Sequence, residues 1–302
     1  MEKNAIACTC QVLGVSVIGA SHTRIGASNQ DAIRSRPDTG IGMPLSLAVA
    51  DGHGSATSFR SSVGSRFAVE TASDAVYQFL VNHRDSPAPL IKRMAEERLP
   101  REIHRLWVDR VRNCIDEQPF SDEELQTVEK RGGPRALQKL NDNPFLAYGS
   151  TLLVVGVMES LIVYLQLGDG DILTVDSDRH VSRPLPMDER LFADETSSLC
   201  LPEAWNEFRF GYQTITEHHP ALVMLSTDGY ANCFASDSDF LRAGQDLAPL
   251  VQTRNSEQLK LELTKHLEDA TQQYSGDDIT LGLLWFPAPS EEHLRSVGAN
   301  SR

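Results

Sequence analysis

The 302-residue sequence predicts an α+β protein in which helices pack on antiparallel sheets. Apolar residues make up 40% of the chain, which is enough to bury a substantial core. Strand-like apolar segments come in pairs, and helical segments come in blocks between them. This pattern differs from the regular alternation of strand and helix that builds a parallel sheet.

Six segments rich in valine, leucine and isoleucine are predicted as strands. In chain order they are residues 11–19, 45–50, 151–158, 161–167, 221–225 and 279–285. Only Glu159 and Ser160 separate the third segment from the fourth. Two apolar segments joined by two polar residues predict a β-hairpin.

Two segments carry apolar residues at helical spacing. Residues 101–115 predict a helix with one apolar face, formed by Ile103, Leu106, Trp107, Val111 and Ile115. Residues 255–270 predict a second helix, which begins with Asn255 and Gln258 in an arrangement close to a capping box. Its core stripe repeats every four residues at Leu259, Leu263 and Leu267.

The composition along the chain predicts one domain over residues 1–286. Residues 116–143 are polar and interrupted by Gly132-Gly133-Pro134, which indicates a linker or surface excursion within that domain. Residues 287–302 show no apolar periodicity and are predicted to form a disordered tail.

The charge balance excludes some classes of protein. The chain has 42 acidic and 28 basic residues, a formal net charge of −14, which argues against nucleic-acid binding. No apolar run approaches the length of a membrane span, and the first residues lack the order of a signal peptide. We therefore expect neither nucleic acid nor membrane as a partner. A cytoplasmic location is expected from five scattered cysteines that suit free thiols: Cys8, Cys10, Cys114, Cys200 and Cys233.

Aspartates next to glycines or at the ends of apolar segments are the most informative feature. Asp51, Asp169 and Asp228 each follow a predicted strand, Asp277 precedes the last one, and Asp31 ends Asn-Gln-Asp. One such aspartate is usually a turn former. Together they predict converging carboxylates, which repel one another unless cations lie between them. Oxygen ligands of this kind suit Mg²⁺ or Mn²⁺.

Other site templates fit the sequence less well. Residues 169–180 resemble a calcium-binding loop, but Thr174 replaces the glycine of the sharp turn and His180 replaces the bidentate glutamate. The sequence contains no phosphate-binding P-loop, no zinc-protease motif and no nucleophile elbow.

The order of the short motifs resembles the metal-dependent Ser/Thr protein phosphatases, the protein phosphatase 2C-like family. The opening motif is closer to a divergent bacterial branch, and the resemblance covers residues 14–285. It implies a four-layer α-β-β-α sandwich, with two antiparallel sheets flanked by helices. The motifs are Ser21-His22, Asn29-Gln30-Asp31, Val49-Ala50-Asp51-Gly52-His53-Gly54, Gly149-Ser150-Thr151, Gly168-Asp169-Gly170, Ser226-Thr227-Asp228-Gly229 and Asp277-Asp278-Ile279-Thr280.

The resemblance also implies a metal-ligand set for two divalent cations, Mn²⁺ or Mg²⁺. Asp51 would bridge the two ions, and Gly52 would offer its backbone carbonyl to one of them. Asp228 and Asp277 would hold the other ion, and Asp169 would belong to a third, weaker site. A water shared by the ions would then attack phosphorus in line.

Catalytic and phosphate-binding roles follow from the same resemblance. His53 would be the general acid for the leaving alkoxide, and Asp31 would act through metal-bound waters. The arginine with which most relatives hold the phosphate is replaced by Gly26. His22 and Arg24 are the nearby candidates for binding the phosphate. The alternative role of His22 is a structural hydrogen bond, and that of Arg24 is a solvated surface position.

The implied function is hydrolysis of phosphoserine and phosphothreonine in proteins, with a phosphorylated protein as substrate and a Ser/Thr kinase as a possible partner. The alternative is a catalytically weak or inactive relative that acts as a binding or regulatory module, which the glycine at position 26 favours. Hydrolysis of a small phosphorylated metabolite by the same metal chemistry is a third hypothesis.

Overall fold

The computed structural model describes residues 9–185, 197–215 and 219–287, and these ranges contain two antiparallel sheets. Strands are numbered in chain order. Sheet 1 contains β1 (Cys10–Val17), β3 (Ile41–Gly42), β7 (Asp171–Val175), β8 (Val181–Ser182), β10 (Leu222–Ser226) and β11 (Ile279–Trp285). Sheet 2 contains β2 (Ala32–Arg36), β4 (Leu45–Ala50), β5 (Leu152–Val157), β6 (Leu161–Leu167) and β9 (Arg209–Thr214).

The strand order places non-consecutive strands side by side. Sheet 1 runs β3-β1-β11-β10-β7-β8, so its centre joins the first strand of the chain to the last ones. Sheet 2 runs β2-β4-β5-β6-β9. The predicted hairpin is confirmed, because β5 pairs with β6 and Val157 lies opposite Ile162.

Seven α-helices lie in the described ranges. They are α1 (Ala20–Ile25), α2 (Ser61–Asn82), α3 (Ala88–Glu117), α4 (Asp122–Asp142), α5 (Asp228–Ala231), α6 (Asp237–Thr253) and α7 (Ser256–Ala270). None of these helices combines the length and the apolar character that a membrane crossing requires.

The core consists of three apolar layers. One joins α2 and α3 to sheet 2 and includes Val76 and Trp107. Another joins α6 and α7 to sheet 1 and includes Phe240 and Leu263. The third lies between the two sheets. The predicted α+β class and the four-layer sandwich, with two antiparallel sheets flanked by helices, are therefore confirmed.

Both helices predicted from apolar spacing are present. Residues 101–115 form the second half of the longer α3, where Trp107 is fully buried and its Nε1 donates to the Gly64 carbonyl at 3.0 Å. Residues 255–270 form α7, and the side chain of Asn255 caps it by accepting from the backbone N–H of Glu257 at 2.8 Å.

The polar segment 116–143 contains the helix α4. The sequence did not predict this helix because Gly-Gly-Pro interrupts the pattern. Ser121 and Glu124 form a capping box at its beginning. Gly133 has a non-helical backbone (φ 73°), so the interruption appears as a kink within the helix. Only Val128 and Leu140 of α4 are buried, which explains the weak apolar pattern. Of the predicted tail, residues 288–302 lie outside the described residues, as does Cys8.

Candidate active site

An acidic cavity of about 420 Å³ opens where strand ends of the two sheets meet. Asp51 follows β4 of sheet 2, whereas Asp228 and Asp277 flank strands β10 and β11 of sheet 1. Asp169 lies in the turn that passes from β6 of sheet 2 to β7 of sheet 1. The packing of the sheets thus brings together the four aspartates that were predicted as metal ligands.

The backbone around Asp51 is fixed by the beginning of β5. The Asp51 N–H donates to the Thr151 hydroxyl at 3.0 Å, and the Thr151 N–H donates to the Asp51 carbonyl at 2.8 Å. Gly52 follows in a space where a Cβ atom would lie 2.7 Å from the Gln30 carbonyl and 2.8 Å from the Ser61 carbonyl. Only glycine fits this close backbone approach.

His53 lies on the wall of the same cavity. Its backbone N–H donates to the Gly149 carbonyl at 3.0 Å, which fixes the loop. Its Nε2 atom is buried and has no hydrogen-bond partner in the described part of the chain. Burial lowers the pKa of His53, although the nearby Asp169 carboxylate acts in the opposite direction. The imidazole is therefore mostly neutral at neutral pH.

Ionisation of all the carboxyl groups of the site at once is energetically unfavourable. Burial raises the pKa of Asp51 well above its usual value, and the charges of Asp31 and Asp228 raise it further. Burial also raises the pKa of Asp228, with Asp169 as the next cause. Positive charge placed among these groups would remove both the mutual repulsion and part of the cost of burial.

Hard divalent cations fit this donor set. Carboxylate and carbonyl oxygens are the ligands that Mg²⁺ and Mn²⁺ prefer, and among the described residues none that lines the cavity is a lysine or an arginine. Within the described ranges, no three His, Cys, Asp or Glu side chains are already arranged as a metal-ligand set. The fit therefore depends on the chemistry and the charge of the donors.

Asp31 lies beneath the cavity and does not line its wall. Its Oδ2 atom accepts a hydrogen bond of 2.8 Å from the Thr227 hydroxyl, whereas Oδ1 is buried without a partner in the described residues. Burial raises the pKa of Asp31 to about 8, which the hydrogen bond from Thr227 counteracts only in part. Its charge acts on the site through its proximity to Asp51.

Of the two candidate phosphate ligands, only His22 reaches the cavity. Its Nδ1 atom lies 2.9 Å from Asp278 Oδ1, but the two groups are not aligned for a hydrogen bond. Arg24 is exposed, outside the cavity, and donates to the Ser21 hydroxyl at 2.9 Å. Gly26 ends α1 with φ 69°, so an arginine there would adopt a strained left-handed backbone.

Asp278 has a larger structural role than its position in the sequence indicates. Its side chain is 3% exposed, and its two oxygens accept from the backbone N–H groups of Gly19 and Gln30, each at 2.6 Å. These contacts hold the loops on either side of α1 against β11. The sequence signal is an aspartate in a turn, which gives no hint of partners about 250 residues away in the chain.

The third cation site can be tested at Asp169 and Asn232. The Asn232 amide donates to Asp228 Oδ2 at 3.2 Å, so the Asn232→Asp substitution would place a second carboxylate beside Asp228. An added carboxylate charge about 4 Å from a divalent cation contributes about 2 kcal/mol in water, or about thirtyfold in affinity. We expect Asn232→Asp to tighten a weak phase of Mn²⁺ binding by about that factor and Asp169→Ala to remove the phase, as measured by calorimetric titration. If neither substitution changes the titration, Asp169 is only a turn residue.

Comparison with known proteins identifies the family. The family model described as protein phosphatase 2C matches residues 18–268. A search among curated proteins found no significant match. The fold is similar to that of a bacterial serine phosphatase, with a TM-score of 0.55 and 16% identity over 92% of this chain and 98% of the other.

Two further solved structures share this fold. The Ser/Thr phosphatase Stp1 from Staphylococcus aureus is 15% identical with a TM-score of 0.55, over 95% of this chain and 100% of the other. PppA of Pseudomonas aeruginosa is 16% identical with a TM-score of 0.52, over 92% of this chain and 97% of the other. The family model covers most of the sequence, and the chain therefore belongs to the protein phosphatase 2C family, whose enzyme class is the predicted one of Ser/Thr protein phosphatases.

Proposed function

We propose that the protein hydrolyses phosphoserine and phosphothreonine in protein substrates with the help of two divalent cations. The observation that carries this proposal is the meeting of Asp51 from sheet 2 with Asp228 and Asp277 from sheet 1 in one cavity. The raised pKa values of Asp51 and Asp228 support a site that is complete only with cations.

The ligand roles follow from the positions of these side chains. Asp51 and the Gly52 carbonyl would hold the cations from the side of sheet 2, and Asp228 and Asp277 would hold them from sheet 1. Asp169 would contribute to a third, weaker site. When bound, the cations would neutralise charge on the phosphoryl oxygens and supply a nucleophilic water whose pKa is lowered toward neutral pH.

The remaining residues would handle the substrate and the proton. His53 would give a proton to the leaving serine or threonine oxygen. His22 lies on the cavity wall and is the candidate contact for a phosphoryl oxygen. Because none of the described residues that line the cavity is a lysine or an arginine, we infer that the substrate phosphate depends on the cations for charge balance and that small phosphate esters bind weakly.

The experiment is release of phosphate from a phosphothreonine peptide by the purified chain. We expect activity with Mn²⁺, loss of activity with excess EDTA, and recovery when Mn²⁺ is added back. Activity that persists in EDTA would contradict the metal mechanism. A chain that binds Mn²⁺ but releases no phosphate would favour the regulatory module, the alternative that Gly26 supports because it stands where most relatives have an arginine.

A further inference from the structure

The end of β10 carries a hydroxyl group with two buried partners. The Thr227 hydroxyl donates to Asp31 Oδ2 at 2.8 Å and accepts from the backbone N–H of Thr280 at 2.9 Å. Thr227 is 2% exposed and Thr280 is fully buried. Asp31 directly precedes β2 of sheet 2, whereas Thr227 directly follows β10 of sheet 1 and Thr280 lies in β11. This hydroxyl therefore connects the two sheets beneath the cavity.

The hydroxyl is diverted from the role that its position predicts. Thr227 is the N-cap residue of α5, and an N-cap threonine ordinarily accepts a hydrogen bond from a backbone N–H of the first helical turn. The Thr227 side chain makes no such bond. Instead, the hydroxyl donates to Asp31 and accepts from the backbone N–H of Thr280.

Further polar contacts continue this link to the loop before β2. The Thr280 hydroxyl donates to the Ser16 hydroxyl at 2.7 Å, and the Asn29 amide donates to the same oxygen at 2.9 Å. The Asn29 side-chain carbonyl accepts from the Asp31 N–H at 2.8 Å, which closes a ring. Asp31 is thus held through both its backbone and its side chain.

We propose that Thr227 is a positioning residue whose hydroxyl orients the carboxylate of Asp31, before β2 of sheet 2, relative to that of Asp228, which follows Thr227 after β10 of sheet 1. This inference depends on the proposed function, since it concerns the cation site. The bond to Oδ2 fixes the rotation of the carboxylate. Oδ1 has no hydrogen-bond partner among the described residues and is therefore the oxygen available to a hydrated cation. Residues that orient metal-site carboxylates in this way typically change metal affinity by about 10–100-fold when they are replaced.

The test compares Mn²⁺ affinity, measured by calorimetry without substrate, among variants of the full chain. Thr227→Val keeps the shape but removes the donor and the acceptor, and we expect it to weaken binding by about 10–100-fold. Thr227→Ser keeps the hydroxyl and should stay within about threefold of the wild type. The matched control is Ser226→Ala, because the buried Ser226 hydroxyl has no partner in the described residues, and wild-type affinity is expected.

A double-mutant cycle with Asp31→Ala separates positioning from general damage. If Thr227 acts through Asp31, Thr227→Val should change Mn²⁺ affinity much less when Asp31 is already alanine. Should Thr227→Val not fold, Thr227→Cys provides a weaker donor of similar size, which must bind Mn²⁺ less tightly than Thr227→Ser.

Four outcomes are decisive. Wild-type Mn²⁺ affinity in folded Thr227→Val, or equal affinity of the cysteine and serine variants, overturns the role of Thr227 and leaves the proposed function intact. An undiminished effect in the Asp31→Ala background also overturns it. A wild-type chain that binds no Mn²⁺ contradicts the proposed cation site itself, and the positioning role is then lost with it.

Discussion

Asp51→Asn is expected to lower Mn²⁺-dependent release of phosphate from a phosphothreonine peptide by at least about a thousandfold. A divalent cation contributes several kcal/mol of transition-state stabilisation, and about 4 kcal/mol corresponds to that factor. Asp51 supplies the negative charge of sheet 2, opposite Asp228 and Asp277 of sheet 1. The substitution removes this charge and leaves both backbone hydrogen bonds with Thr151 in place.

Thermal unfolding in EDTA shows whether the Asp51→Asn variant is merely damaged. The pKa of Asp51 is raised by burial and by Asp31 and Asp228, so its ionised form destabilises the metal-free fold above the ordinary carboxyl pKa. The Tm of the variant in EDTA should therefore equal or exceed that of the wild type at pH 7, and the difference should shrink near pH 4. A lower Tm at pH 7 would point to structural damage.

A matched control for this prediction is Asp176→Asn. Asp176 lies in the exposed turn between β7 and β8, outside the cavity, and its Oδ1 accepts from the backbone N–H groups of Asp178 and His180. An asparagine keeps that acceptor and removes one carboxylate charge. Activity should be unchanged in this variant, and wild-type activity in Asp51→Asn would contradict the two-cation mechanism.

The candidate ligands could be found from the sequence because their signal is local. An aspartate beside glycine at the end of an apolar strand is visible within a few residues, as in Asp51-Gly52 and Asp228-Gly229. Their convergence is not local, since it depends on how sheet 1 packs on sheet 2. The order of the motifs supplied that information through the family resemblance, and neither apolar periodicity nor composition contains it.

The structure also contains elements whose sequence signal is weak. Helix α2 packs on sheet 2 with small residues, and Gly64 allows the carbonyl of Tyr148 to come so close that no Cβ would fit. Buried serines such as Ser65 and Ser73 interrupt the apolar pattern of this helix, so its periodicity does not stand out. Close backbone packing depends on the segment that the helix packs against, here the turn that ends at Tyr148, and the helix sequence alone does not reveal it.

Long-range hydrogen bonds were equally inaccessible. Thr227 is the N-cap residue of α5, yet its hydroxyl donates to Asp31, which directly precedes β2 of the other sheet. Asp278 resembles an ordinary turn residue, yet it binds the Gly19 and Gln30 backbone. In both cases the partner is set by tertiary packing, and side-chain chemistry shows only that a partner is needed.

The second large effect is expected at His53. His53→Ala should slow hydrolysis of a phosphothreonine peptide by about 10²–10⁴-fold, the usual range for an acid-base residue. The reason is that a threonine alkoxide is a poor leaving group without a proton. Hydrolysis of para-nitrophenyl phosphate should be slowed much less, because nitrophenolate leaves without protonation.

The position of His53 makes this comparison informative. Its Nε2 is buried, and burial lowers its pKa, so the protonated, acidic form becomes scarcer as the pH rises. The peptide reaction of the wild type should therefore fall with rising pH more steeply than the aryl reaction, and His53→Ala should abolish that difference. His180→Ala, in the exposed β7–β8 turn, is the control and should leave both reactions unchanged. Equal losses on the two substrates would show instead that His53 orders the loop after Asp51 and does not transfer the proton.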